Sequence, residues 1–362
     1  MPTSPPVATP ATTIEIDGPR CLINGRPTYA GATWRGRSVA GLLLNARMIQ
    51  AVFDDLNPET APACTYPDTG LWDPERNTTE FCAALPEYRR HGLLAVTVGL
   101  QGGGSVFRPE LYDHYLCSAY EPTGEFRPAF FDRLRRVLAA ADACGMVVIV
   151  NYWYQKQIRR MASEAVVEQV TERVTDWLLA TGYRNIIVDV VNEAGDMWHI
   201  PQIGRERIHR LIEIVQTTTR NGRRLLAGSS CGGGQYPSGR WAAVEDFSMP
   251  HGNGCTTDKF RAMLREFKNT DDYRSRPRPV VVNEDSIIVA NLEAAVEEGC
   301  SWGYYSQGFG SNYRDLTDWK LHPRESRVED LSGYQTLPVN WTINTDEKRA
   351  FFGKVLEITE GR

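Results

Sequence analysis

The chain reads as an α/β protein, a (β/α)8 TIM barrel, and three observations predict it. Short apolar, β-branched runs alternate with amphipathic helical patterns, the signature of a parallel sheet. Eight such runs occur, each followed by a helix or a loop, and 362 residues exceed the roughly 250 that this barrel needs. Two of the strongest runs, IIVDVV at 186–191 and VVV at 280–282, both stop on Asn-Glu: Asn192-Glu193 and Asn283-Glu284. Carboxylates at the carboxyl ends of parallel strands in one barrel face a common mouth.

The elements follow in order. Residues 1–12, rich in Pro, Thr, Ala and Ser, are expected to be a disordered leader. Residues 13–362 are expected to form one barrel domain. It opens with a short β-hairpin, 13–17 and 21–23, around a Gly-Pro turn. Strand one is placed at 28–33, followed by a long loop, 36–77. A helix at 78–91 leads to strand two at 94–100. Phe131, Leu134, Val137 and Leu138 recur at helical spacing in 127–144. Strand three is 147–152. Ser163 is a suitable N-cap for a helix over 163–180. Strand four at 186–191 is followed by a helix at 205–220, strand five at 225–229 and strand six at 247–251. A short helix at 259–267 precedes strand seven at 280–282. A helix at 292–298, strand eight at 301–305 and a last helix at 345–358 complete the series. The surplus length falls in loops after strands one, two and eight, all on the mouth side.

Composition narrows the classes. A net charge of −5 and the absence of a basic run argue against a nucleic-acid partner. No stretch of about 18 apolar residues suggests a membrane span. The first residues lack the basic start and apolar core of a secretory signal, so the expected location is cytoplasmic, or outside the cell if a signal was removed. Six histidines without a zinc-hydrolase pattern suggest no metal, and no cofactor is expected. Eight cysteines are scattered without a C-x-x-C pair. Cys144 and Cys300 read as small buried hydrophobes. A disulfide among Cys64, Cys82, Cys117, Cys231 and Cys255 stays open. Asp54-Asp55 with Asn57 and Glu59 lacks calcium-loop spacing and reads as a loop-pinning cluster. Gly102–Gly104 and Gly232–Gly234 lack the Lys-Ser/Thr of a phosphate loop.

Paired carboxylates across a cleft suit glycosidic-bond cleavage. One protonates the leaving oxygen, and the other attacks or activates water. Glu193 and Glu284 are the candidates. With period two, Glu193 shares a strand face with Val191 and Asp189, as Glu284 does with Val282 and Val280. If Val191 and Val282 fill the barrel, both glutamates point into its mouth. Asp189 is then a buried acid in need of a partner, for which Arg47 or Arg35 is the candidate.

The segments INGRPTYAGATW (23–34), DVVNE (189–193), HGN (251–253), VVVNE (280–284) and SWGYY (301–305) resemble the retaining glycoside hydrolases of clan A. The nearest resemblance is to glycoside hydrolase family 5, the cellulase-like group. It extends over nearly the whole chain, with its specificity in the two Asn-Glu ends. It implies Glu193 as acid/base and Glu284 as nucleophile. It implies that Asn192 binds the sugar 2-hydroxyl, that Trp302 is an aromatic floor and that His251 orients the nucleophile. The sequence departs from the family in three places. Asn253 stands where a tyrosine is usual. Gln101 replaces the arginine ending strand two, and Asn151-Tyr152 the histidine near strand three. These departures mark a divergent branch.

Aromatic residues crowd the loops: Trp34, Trp72, Trp153, Tyr154, Trp198, Tyr304, Tyr305, Trp319 and Trp341. Sugars stack on such rings. The candidate sugar contacts are therefore Asn192, His251, Trp302, Asn253, Gln101, Trp153, Trp34 and Tyr304. The expected activity is retaining cleavage of a β-linked oligo- or polysaccharide. A transglycosylase using the same residues and a non-catalytic carbohydrate-binding barrel are the alternatives. A lyase or isomerase would want a metal cluster or a strand-end lysine.

Overall fold

The computed structural model describes residues 10–103, 114–307, 327–335 and 337–360. Short antiparallel pieces come first. β1 (Ile14–Asp17), β2 (Arg20–Ile23) and β3 (Arg26–Pro27) make a three-stranded sheet, and β4 (Thr33–Trp34) pairs with β5 (Arg37–Ser38). The parallel sheet then runs through β6 (Asn45–Arg47), β7 (Ala95–Gly99), β8 (Val147–Tyr154), β9 (Ile186–Asn192) and β10 (Leu226–Gly228). β11 (Ser230–Gly233) continues β10 and pairs in parallel with β12 (Met249–His251). β13 (Gly303–Tyr304) returns beside β6.

Residues 280–282 fill the remaining gap through single parallel bridges, Ser248 to Val280 and Val281 to Ser301. Val281 N donates to Ser248 O at 2.8 Å, and Ser301 N to Val280 O at 2.9 Å. The ring closes with eight parallel strand positions among the described residues, the (β/α)8 barrel.

Strand one is not at 28–33. That stretch turns at Gly31 (φ +83°), and the strand is β6, inside the segment expected to be a loop. Residues 41–47, GLLLNAR, are nearly all buried. β6 is only three residues long, two of them polar, and the run before it is leucine without β-branched residues, and that hid it.

The barrel interior is a separate apolar cluster made of strand and hairpin residues. Leu43, Ala95, Val147, Ile149, Ile187, Met249 and Val281 pack over Ile14 and Cys21, so the β1–β2 hairpin plugs the amino-terminal end. Val191 and Val282 belong instead to the outer cluster shared with the helices, so neither fills the barrel as expected.

The helices are α1 (Pro74–Arg90), α2 (Pro128–Ala143), α3 (Glu164–Ala180), α4 (Ile208–Thr217), α5 (Gly239–Val244), α6 (Thr257–Asn269), α7 (Asp271–Arg274), α8 (Val289–Glu297) and α9 (Asp346–Glu360). Each long one has a physical start signal or an apolar stripe. Ser163 caps α3 by accepting from Val166 N at 3.2 Å, and Val167, Val170, Val174 and Leu178 line its buried face. Asp73 caps α1 four residues before the expected start, accepting from Glu75 N and Arg76 N ahead of Pro74.

The leader is shorter than expected where it is described. Asp142 accepts from the backbone N of Ala11 and Thr12, and Thr12 is buried. Residues 1–9, 104–113, and 308–326 with Trp319 lie outside the described residues. No helix among the described residues is long and apolar enough to cross a membrane. None of the eight cysteines is in a disulfide. Cys300 is buried as expected, while Cys144 is only half-buried. Asp55 pins its loop by accepting from Asn57 N and Leu116 N, and Asp54 accepts from the Trp72 indole.

Candidate active site

Glu193 follows β9 directly, with its backbone in the left-handed region (φ +53°). Two contacts hold it there. Its N–H donates to Ser230 Oγ at 3.1 Å, and its carbonyl accepts from the Trp198 indole at 2.7 Å. The turn swings the Glu193 side chain over the mouth. Glu284 follows 280–282 and is 5% exposed, one residue past Asn283. One carboxylate oxygen of each glutamate and a ring nitrogen of His251 lie within 4.8 Å of one another.

The two carboxylates have different surroundings. Arg47 Nε is 2.8 Å from Glu284 Oε2, an ion pair with both side chains buried. Asn253 Nδ2 donates to Glu284 Oε1 at 2.8 Å. Glu284 is thus held by a cation on one oxygen and a donated N–H on the other. Glu193 has a neutral neighbour: Gln155 Nε2 donates to its Oε2 at 3.3 Å, and Gln155 Oε1 accepts from Asn192 Nδ2 at 3.2 Å.

His251, at the end of β12, faces both acids. Its Nδ1 is 3.7 Å from Glu193 Oε1 and 3.9 Å from Glu284 Oε2. Its Nε2 pairs with Asn283 Oδ1 at 2.9 Å, and Asn283 Nδ2 donates to Asp189 Oδ2 at 3.2 Å. Asp189 also accepts from Ser230 N at 2.9 Å and from Ser230 Oγ at 3.1 Å. Burial pushes the Asp189 carboxyl up to about 6, against the pull of Ser230, His251 and Arg47. Burial opposes charge on the His251 ring, but Glu284 and Glu193 outweigh it and hold the imidazole above its ordinary value.

Several expectations are corrected here. Asp189 is partnered by Ser230 and Asn283. Arg47 acts on it only at a distance, and Arg35 binds Glu293 and Glu297 elsewhere. Asn283 bonds Asp189 and His251, and Asn253, expected only as a sugar contact, donates to Glu284. Trp302 is no floor: it is fully buried, donates to Asp285 Oδ2 at 2.9 Å and packs on Phe351 of α9. Tyr304 stacks on the same Phe351 at 4.5 Å. Trp153 donates to Thr171 of α3, outside the barrel. Trp34 donates to Glu357 near the end of α9, away from the mouth. Gln101 is wholly buried and engaged with Tyr154 N and Ser118 Oγ. Asn192, His251 and Asn253 remain at the two glutamates.

Sequence reasoning missed three residues as parts of the site. Arg47, on β6, brings a cation to Glu284 where Gln101 at the end of strand two does not, and a charge closing an apolar run was its signal. Gln155 lies just past β8 and carries no motif. The Tyr305 ring lies 6.0 Å from the Arg47 guanidinium, next to the expected Trp302 and Tyr304. Glu193, His251 and Glu284 are also the residues that could hold a metal ion. The Arg47 guanidinium beside Glu284 Oε2 works against a dication there.

No protein-family model matches the sequence, and none of the curated proteins compared matches it. Solved structures do. A glycoside hydrolase aligns over 99% of this chain and 75% of its own, at 10% identity and a TM-score of 0.56. A GH5-4 broad-specificity endoglucanase from Clostridium longisporum aligns over 92% of this chain and 99% of its own, at 9% identity and a TM-score of 0.53. The endo-β-mannanase/endo-β-glucanase of Prevotella bryantii aligns over 80% and 49%, at 11% identity and a TM-score of 0.50. The chain has the barrel fold of these glycoside hydrolases.

Proposed function

We propose that this protein is a retaining glycoside hydrolase cleaving β-linked oligo- or polysaccharides, with Glu193 as acid/base and Glu284 as nucleophile. The carrying observation is the carboxylate pair, with oxygens within 4.8 Å of each other and only Glu284 ion-paired to Arg47. Carboxyl groups about 5–5.5 Å apart suit double displacement, whereas inverting pairs stand about 6.5–9.5 Å apart to admit water. The endoglucanase and mannanase activities named for similar folds support β-linked glucans or mannans as the first substrates to try.

In the first step Glu284 attacks the anomeric carbon. The glycosidic C–O bond breaks, and Glu193 gives its proton to the departing oxygen. Forming the ester removes the Glu284 charge, so Glu193 keeps its own charge at less cost and can accept a proton from water. Water then attacks the anomeric carbon, Glu193 takes the proton, and the bond to Glu284 breaks. Asn192 and Asn253 are the proposed sugar contacts, with Tyr305 as the aromatic one. Asn192 Oδ1 and Asn253 Oδ1 are buried and have no protein partner.

The test is a panel of aryl β-glycosides and natural glycans, with proton NMR of the first-formed anomer. Retention is expected, with activity falling by about 10³-fold or more in Glu284→Gln. Azide should rescue Glu284→Ala as the α-glycosyl azide and Glu193→Ala as the β-glycosyl azide. Inversion, or turnover unaffected by either substitution, would overturn the reading.

A further inference from the structure

We infer that Gln155 is the positioning residue of the acid/base: it decides which oxygen of Glu193 carries the catalytic proton. The inference rests on the glycosidase reading above and adds to it a residue that neither glutamate motif points to. Gln155 is 3% exposed and sits one residue past the end of β8. The turn that carries it is tied at both sides. Tyr154 N donates to Gln101 Oε1 at 3.1 Å, and Gln157 Nε2 donates to Tyr115 O at 2.9 Å.

The polarity of the chain follows from elementary hydrogen-bond chemistry. An ionised carboxylate only accepts, so the Gln155 group facing Glu193 Oε2 is its NH2. Its carbonyl then faces Asn192 and must accept from the Asn192 NH2. That leaves Asn192 Oδ1, buried and without a protein partner, as the free end of the chain. A proton on Glu193 Oε2 would collide with the Gln155 N–H, so the acid carries its proton on Oε1. This oxygen faces His251 Nδ1 only at 3.7 Å, beyond hydrogen-bond length, so no ring N–H takes the proton's place there. Gln155 therefore holds the carboxylate with its proton-bearing edge toward the nucleophile's side. Glu193 is otherwise faced by His251 from β12, Glu284 beyond 280–282, Arg47 from β6 and Cys231 from β11.

Leaving-group dependence separates this role from a merely structural one. An aglycone that departs as a stable anion needs no proton, whereas a simple alcohol does. The experiment compares kcat/KM for a 2,4-dinitrophenyl and a methyl β-glycoside of the preferred sugar in wild type, Gln155→Met, Gln155→Glu and Glu193→Ala. Gln155→Met should slow the methyl glycoside by about tenfold or more beyond its effect on the dinitrophenyl substrate, which shares any loss through Asn192. Gln155→Glu should move the basic limb of the pH profile of kcat/KM upward, since a second negative charge beside Glu193 holds its proton. Equal loss on both substrates in Gln155→Met, or an unmoved basic limb in Gln155→Glu, would overturn the inference. If Glu193→Ala shows the leaving-group signature and Gln155→Met does not, the assignment of Gln155 falls and the glycosidase reading stands. If Glu193→Ala shows none, both fall.

Discussion

Arg47 and Glu284 are both nearly closed off from water, and each is the other's charge partner at 2.8 Å. Removing one partner strands the other charge. Arg47→Met should therefore cost about 3–5 kcal/mol in a urea titration. It should also lower kcat/KM by about 10²–10³, because Glu284 loses the cation that positions it. Asp189 makes a prediction of opposite character. Its folded pKa, about 6, lies above its unfolded value of 3.8. The folded state thus binds the proton more tightly. The stability this contributes is fully present below about pH 4 and is lost as pH rises through about 6, on the order of 2–3 kcal/mol. Melting Asp189→Asn across pH 3.5–8 should show that part of the pH dependence gone. Activity should drop as well, because Asn283 and His251 lose their anchor.

Gly303 in β13 shows how tightly the elements around the site are closed. A Cβ there would stand 2.4 Å from Asn45 Oδ1 and 2.8 Å from the Asn283 backbone. Gly303→Ala must push β13 away from β6 and from the segment carrying Glu284. The expected loss is about 1–3 kcal/mol of stability, with a fall in kcat that exceeds any change in KM. The same elements show what the sequence disclosed. β7, β8 and β9 were legible as apolar β-branched runs, and the two Asn-Glu ends placed both acids. β6 was not, because it is three residues long and two of them, Asn45 and Arg47, are polar. The aromatic contacts failed on parity. Along 301–305, Trp302 and Tyr304 share the face turned to α9, and Tyr305 on the other face lies by Arg47. A shift of one residue exchanges the two faces of a strand. In β8 both Tyr152 and Trp153 reach α3, through Thr175 and Thr171, so counting by twos fails there.

At the scale of the whole molecule, a second buried acid behaves like Asp189. Glu245 and Arg278 form a second buried pair at 3.0 Å, and burial pushes the Glu245 carboxyl up to about 7 despite Arg278. Its contribution has the same sign as that of Asp189: present below about pH 4.5 and lost as pH rises through about 7. Glu245→Gln should flatten the melting curve between those limits. The eight thiols add no cross-link, so reductant should leave the melting temperature unchanged. The left-handed backbone at Glu193 bears on how such a protein is improved. Side chains other than glycine or asparagine hold that conformation at a cost of about 1–3 kcal/mol. Glu193 also faces a second carboxylate. Glycine or asparagine at 193 would relieve both burdens, so either variant should melt higher than wild type while losing turnover. A breeding programme that selects on heat resistance alone would discard the proposed acid/base.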